Sequence, residues 1–290
     1  MILRDLPILV TGFNRPKLLV NVLEQLENLE QQNVWFALDG PRVGNKSDQQ
    51  LTKECFALIS RSSLYSSQRS LIRPVNYGCK YGMADAITWF FQNNPRGVII
   101  EDDLIFGKDF LQFCLVNLDK FHNNNAIGSI TGYMPINIKI PQTSKINLNV
   151  SHPFFSAWGW ASWADRWAKY DVELKNWRKK MSILQIIMHH GPNNPRYWIR
   201  RFNELENGLI NTWDFQFLFT HFANNWKVIA PIQNLIGNIG FGEDATHTKL
   251  KRRVSEIHPF TFEQMEIANF ELSTLRRKQL RDYLRIQFGI

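Results

Sequence analysis

The chain has 290 residues, 44% of them hydrophobic and 21% charged, a balance that excludes a disordered protein and is enough for one large α/β domain. Lys and Arg number 34 against 26 Asp and Glu; the resulting formal charge of +8 suits an anionic partner such as a nucleotide, a phosphorylated lipid or a membrane face. Three scattered cysteines, Cys55, Cys79 and Cys114, have neither disulfide-framework nor metal-ligand spacing and read as reduced, buried thiols.

Pro7 to Thr11 reads as a buried strand, and Gly12-Phe13-Asn14-Arg15-Pro16 turns from it into a helix whose apolar stripe is Leu18, Leu19, Val22, Leu23 and Leu26. Val34 to Leu38 is a second strand, closed by Asp39-Gly40-Pro41-Arg42, with a polar helix from about Ser47 to Ile59. Ser70 to Arg73 is a third strand; Asn76-Tyr77-Gly78-Cys79-Lys80-Tyr81-Gly82 then forms a turn into a helix that runs to Phe91. Val98 to Ile100 is a fourth strand, and a helix follows from about Phe110 to Phe121. Such alternation predicts a parallel sheet with helices on both faces and ligand-binding loops after the strands.

Farther along, Phe154 to Trp163 is densely aromatic, residues 170 to 210 read as polar and helical, and Trp226 to Pro231 is a late strand. Gly237-Asn238-Ile239-Gly240-Phe241-Gly242 is a loop flexible enough to close over a ligand, and the tail from about Pro259 reads as helical. The expected division is a catalytic unit over residues 1–250 and a basic helical extension over 251–290. The basic runs there (Lys249, Lys251, Arg252, Arg253, then Arg276, Arg277, Lys278, Arg281, Arg285) read first as a solvated helix face and second as a contact with anionic lipid. The sequence begins without a charged leader and has no apolar run of membrane-spanning length, so a cytoplasmic setting is expected, with peripheral attachment at the inner membrane face as its extension. No basic–aromatic nucleic-acid motif is present, and no nucleic-acid partner is expected.

The segment richest in chemistry is the end of the fourth strand, where Ile99-Ile100 meets Glu101-Asp102-Asp103. Three adjacent carboxylates at the carboxyl edge of a sheet repel one another, and a divalent cation bridging to substrate phosphates would relieve that repulsion. The dinucleotide fingerprint G-x-G-x-x-G and the phosphate loop G-x-x-x-x-G-K-[ST] are both missing, which disfavours dehydrogenases and P-loop enzymes.

The ordered set from Pro7 to Thr248 resembles the GT-A class of nucleotide-sugar glycosyltransferases, and within it the N-acetylglucosaminyltransferase I group. That set comprises Pro7–Pro16, Asp39-Gly40, Asn76–Lys80, Glu101-Asp102-Asp103, Trp158-Gly159-Trp160, Thr212-Trp213-Asp214 and the loop from Gly242 to Thr248. The resemblance implies a GT-A, Rossmann-like α/β fold and transfer of a sugar from a UDP-sugar to a saccharide or glycolipid hydroxyl, with inversion and with Mn²⁺ or Mg²⁺ as cofactor. It implies that Asp103 holds the metal, and that Glu101 and Asp102 face the donor's ribose and sugar. Thr11, Asn14, Arg15 and Asp39 meet the nucleotide, and Asn76, Gly78 and Lys80 contact phosphate or sugar hydroxyls. Trp158, Gly159 and Trp160 line the acceptor side, and His247 reaches the diphosphate or the metal. In the family a W-D-D motif supplies the base; here Trp213-Asp214-Phe215 keeps one aspartate, so Asp214 is the candidate base.

Each residue also has a plainer reading. Arg15 can be a surface residue at a helix start, Asp39 a turn former, Asp214 a helix cap, His247 a surface histidine, and about half of the tryptophans core packing. The lone aspartate keeps open a non-catalytic carbohydrate-binding protein on the same scaffold. A sugar nucleotidyltransferase ranks lower, because the first loop lacks its glycine-rich basic pattern.

Overall fold

The computed structural model describes residues 2–134, 149–182, 185–186, 195–232, 234–240, 272–274 and 284–285. His189, His190, His247, the loop from Gly242 to Thr248, both basic runs except Arg285, and most of the expected helical tail lie outside the described residues.

The first half alternates strand and helix as expected. Strand β1 (Ile8–Gly12) leads to α1 (Pro16–Asn28), β2 (Val34–Leu38) to α2 (Lys46–Arg61), β3 (Ser70–Ile72) to α3 (Gly78–Asn93), and β4 (Arg96–Glu101) through a short β5 (Leu104–Phe106) to α4 (Lys108–Lys120). Pro16 occupies the first turn of α1, where its missing N–H costs nothing. The Asn45 side chain caps α2 by accepting from the Asp48 N–H at 3.0 Å.

The second half adds β6 (Ile127–Thr131), β7 (Asn149–His152), β8 (Trp160–Trp163), short helices α5 (Ala164–Trp167) and α6 (Trp177–Lys180), α7 (Pro195–Glu206), α8 (Asp214–Ala223), β9 (Lys227–Pro231), β10 (Ile236–Asn238) and β11 (Leu272–Thr274). The main sheet runs β11-β7-β9-β6-β8-β4-β1-β2-β3, and β5 pairs with β10 in a separate ladder. The sheet is large, mostly parallel and mixed, because β8 lies antiparallel between β4 and β6, and β7 antiparallel to β9. Residues 272–274, inside the segment expected to form a basic helical extension, pair with β7 as a strand of this sheet.

Strand alternation builds two cores. Ile8, Val10, Val98 and Ile100 point to the face covered by α1, α2 and α4, whereas Leu9 and Ile99 point to the face covered by α3 and α8. The second core is aromatic: Trp160 is fully buried among Phe155, Trp167, Trp213 and Phe217. Among the described residues no helix is long and apolar enough to cross a membrane.

Parallel order also creates the crevice. The chain steps from β1 outward to β2 and β3, then returns to place β4 on the other side of β1. The carboxyl ends of β1 and β4 therefore diverge at the point where the order reverses, which is where open α/β sheets bind ligands. Thr11 registers with Glu101 across this pair, so the β1 exit loop and the acidic triplet face each other by construction.

Gly97 permits the β1–β4 contact. A Cβ there would lie 2.4 Å from Phe90 Cζ and 2.7 Å from the Pro7 carbonyl, which is fixed by a 2.9 Å bond from the Val98 N–H. Gly97→Ala is expected to destabilise the chain by roughly 1–3 kcal/mol through overpacking, read as a lower urea midpoint.

Candidate active site

Arg15 is the N-cap residue of α1, and its guanidinium reaches across the crevice to the acidic triplet. Nη1 lies 3.0 Å from Asp103 Oδ2, and Nη2 donates a close hydrogen bond to Asp102 Oδ1. Burial works against the arginine's charge, but Asp102, Asp103 and Glu101 together outweigh it and hold the guanidinium charged more firmly than a free arginine. Burial, then the like charges of Asp103 and Asp102, pushes the Glu101 carboxyl well above its ordinary range, and Asp214 adds to the push. Burial pushes Asp102 up to about 6 despite its bond to Arg15.

Asp103 is anchored from a second direction. Its Oδ1 accepts from Asn238 Nδ2 at 3.2 Å, and its carbonyl accepts from the Ile239 N–H at 2.9 Å. Gly240 lies so close that a Cβ there would sit 2.1 Å from Asp103 Oδ2. The expected flexible glycine loop therefore begins as strand β10, and Gly240 is required by the approach to Asp103. Gln25 of α1 fixes β5, accepting from the Phe106 N–H at 2.6 Å and donating to the Leu104 carbonyl at 3.3 Å.

Asp39 follows β2, one strand away. Its carboxylate accepts from the backbone N–H groups of Gly40, Tyr77 and Gly78 at 2.9–3.1 Å and from Asn76 Nδ2 at 2.9 Å. Asp39 thus caps α3 from across the fold, and the anion at that helix start is the protein's own. The stretch read as a turn before a helix at Gly82 is in fact the first turn of α3, which begins at Gly78. A nucleobase N–H would share Asp39 with these donors, and a phosphate at this helix start would have to displace it.

Lys80 is likewise occupied: buried, it gives its Nζ to Glu173 Oε2 at 3.1 Å, while Tyr81 Oη donates to Glu173 Oε1 at 2.8 Å. Thr11 is buried and donates to the Ile100 carbonyl at 3.4 Å, joining β1 to β4. Asn14 donates to Asp48 at 2.9 Å, and Arg42 brackets the same buried carboxylate, so Asn14 braces the loop that carries Arg15.

On the far side of the crevice Asp214 opens α8, lining a small cavity of about 60 Å³ with Trp158, Phe155, Ser156 and Phe215. Its Oδ1 accepts from Thr212 Oγ1 and from the Phe215 N–H at 2.9 Å, which leaves Oδ2 for an incoming donor. Trp213, without a side-chain cap bond, is the N-cap of α8, so Asp214 is not the cap residue. Trp158 lines the cavity and stands 4.5 Å, centroid to centroid, from Tyr133. Its two neighbours differ from expectation. Trp160 is fully buried and offers no face to a ligand, and Gly159 (φ +56°) is pressed against Ile236, where a Cβ would lie 1.9 Å from Cδ1. Steric room at Gly159 serves packing of β10, not approach of a sugar.

No protein-family model matches the chain, and no curated protein matches it either.

Several site residues carried no local signal. Arg73 is buried, donates to Asp85 at 2.7 Å, approaches Asp39 at 3.9 Å and lies 4.9 Å over the Tyr77 ring. With Asp39, Phe56, Ile72 and Pro41 it lines a cavity of about 300 Å³ at the carboxyl ends of β2 and β3. Glu173 and Asn238 find their partners only through the fold. Cys79 lies within reach of the charges of Glu101, Asp214 and Asp39, and burial followed by these charges pushes its thiol up to about 12, so it stays protonated.

Among the described residues no group of three or more His, Cys, Asp or Glu side chains is arranged as a metal cage. The donor chemistry fits a sparser site. Asp102 and Asp103 present hard oxygen donors, and a cationic group, the Arg15 guanidinium, already bridges them.

A carboxyl whose pKa is raised on folding holds its proton more tightly in the folded state, so its ionisation costs stability as pH rises. For Asp102 the window runs from its ordinary 3.8 to about 6. Relative to wild type and in EDTA, Asp102→Asn is expected to gain stability by roughly 1–3 kcal/mol across that window and to plateau above it, as read by urea unfolding at several pH values.

Proposed function

We propose that this protein is a GT-A-type glycosyltransferase that moves a sugar from a UDP-sugar to a saccharide or glycolipid hydroxyl. The observation that carries the reading is the meeting of Arg15 with Glu101, Asp102 and Asp103 at the switch point between β1 and β4, across from Asp214 and Trp158. The order of motifs along the chain supports it independently.

In this reading the Arg15 guanidinium takes the diphosphate, a group its planar fork binds bidentately. The nucleobase lies in the cavity floored by Phe56 and Ile72, whose apolar walls carry two polar groups, Asp39 and Arg73. Asp103 would hold Mn²⁺ or Mg²⁺, which would supply neutralisation of charge on the departing diphosphate. Asp102, which the resemblance turns toward the donor's ribose and sugar, shares the Arg15 fork with Asp103 and offers a second hard oxygen donor. Asp214 Oδ2 accepts the acceptor hydroxyl's proton as that oxygen bonds to the anomeric carbon. The bond to the donor's phosphate oxygen breaks, and its electron pair leaves with UDP. Attack from the face opposite the leaving group inverts the anomeric configuration. Trp158 gives the acceptor a ring face to stack on, beside the small cavity at Asp214.

UDP titrated calorimetrically is expected to bind with Mn²⁺ or Mg²⁺ and to lose that metal dependence in Asp103→Ala; binding indifferent to metal and to Asp103 sinks the proposal. With a turned-over UDP-sugar in hand, Asp214→Asn should lower kcat by about 10²–10⁴ and leave UDP affinity unchanged. Saccharide binding without turnover of any UDP-sugar would favour the carbohydrate-binding alternative, which the single aspartate of Trp213-Asp214-Phe215 keeps distinct.

A further inference from the structure

We propose that Arg15 is an internal counter-cation that keeps divalent metal off Asp102 and Asp103 until a nucleoside diphosphate draws the guanidinium away. The inference rests on the nucleotide-site reading above and adds to it an order of binding.

The fork covers one oxygen of each carboxylate, Asp102 Oδ1 and Asp103 Oδ2. The second oxygen of Asp103 already accepts from Asn238 Nδ2 at 3.2 Å. Both oxygens of the expected metal ligand therefore already accept from N–H donors, one of them on a full positive charge. A dication brought to the same oxygens would meet that charge within a few ångströms, in a crevice where Asp102 is 2% exposed and water screens little. Free metal and the guanidinium are thus alternatives at this pair of carboxylates.

Arg15 is suited to leaving. Its side chain is 23% exposed, whereas its partners lie deeper, and only the Arg15 carbonyl is tied into α1, accepting from the Leu18 and Leu19 N–H groups at 3.1 and 3.0 Å. Rotation about its own side-chain bonds moves the fork without moving β1 or α1. A diphosphate offers the fork what the two carboxylates offer, a pair of parallel charge-assisted bonds, so the exchange replaces like with like. Once the fork has moved, two adjacent carboxylates are left without a counter-charge, and a hard cation satisfies them. Nucleotide and cation should then bind with strong positive coupling, each raising the other's affinity by the same factor. A lysine ammonium, a point charge, cannot span both carboxylates in this way.

The test is Mn²⁺ binding to the full chain, followed by the electron paramagnetic resonance of free Mn²⁺, with and without UDP. Wild type, Arg15→Gln, Arg15→Lys and Asp103→Asn are compared, with near-ultraviolet circular dichroism as the check on folding. The expected result is weak Mn²⁺ binding by wild type alone and roughly tenfold or tighter binding once UDP is present. Arg15→Gln should take Mn²⁺ alone roughly tenfold more tightly than wild type and lose most of the UDP effect. Arg15→Lys should fall between the two, and it carries the comparison if the glutamine variant does not fold. Equal Mn²⁺ affinity in wild type and the folded Arg15 variants, with binding abolished in Asp103→Asn, would overturn the counter-cation role and leave the nucleotide site standing. Absence of Mn²⁺ binding by every variant even with UDP would remove the site itself, and the inference with it.

Discussion

Folding this sheet brings the partly buried Glu101 beside the buried Asp102 and Asp103, and the Arg15 guanidinium is what makes that arrangement tolerable. Much of the neighbouring structure maintains that one contact. Asp48, held by Arg42, steadies Asn14 and the loop carrying Arg15. Gln25 secures β5 immediately after the triplet, and Asn238 steadies Asp103 from β10. Removing the arginine would leave like charges facing one another at low dielectric, the situation that burial penalises most. The crevice is thus a place where the fold stores electrostatic strain, and a bound anion and cation together could relieve it.

Two cores of different character share one sheet. Mostly aliphatic residues from β1, β2 and β4, with Phe36 among them, fill the face under α1, α2 and α4, whereas the opposite face is packed with rings around Trp160, Trp213 and Phe217. The aromatic side carries Asp214 at its margin, so the candidate base stands on a stiff, large-area platform, while Trp158 reaches the same small cavity from the other core. Asp39 performs a comparable service for α3, whose N-terminus lacks a local cap and is satisfied from the end of β2. Positions that bear on chemistry are in this way held by contacts distant along the chain.

The sequence made some of this legible and hid the rest for identifiable reasons. Strands β1, β2 and β4 were readable because short apolar runs ended at turn residues, and the acidic triplet marked the crevice by its repulsion alone. Arg15 could be singled out, but its contact with Asp102 and Asp103 could not, since those residues lie 87 and 88 positions away. Lys80 looked free for a phosphate because its partner Glu173 is 93 residues distant and sits in no motif. Strand β8 was concealed inside the aromatic run: all four of its residues are buried, so no alternation of polar and apolar betrays it. Strands β5 and β10, three residues each, are too short for periodicity and exist through each other. The start of α3 at Gly78 was masked because its cap is supplied by Asp39 and not by a neighbour.

The pairing of β5 with β10 has a consequence for where the chain can be cut. Residues 104–106 register with 236–238, so the strand that follows the acidic triplet is hydrogen-bonded to a segment more than a hundred positions downstream. The Asp103 carbonyl and carboxylate then add bonds to Ile239 and Asn238. An N-terminal fragment holding β1 to α4 would contain Arg15 and every acidic residue of the cluster, yet it would lack the partner strand that sets the direction of Asp103. It would also lack β8, and so leave one edge of β4 bare and apolar. The alternating first half, though it looks like a complete unit in the sequence, is neither a fragment that preserves the crevice nor a safe expression boundary. Any piece that preserves the crevice extends at least through Gly240.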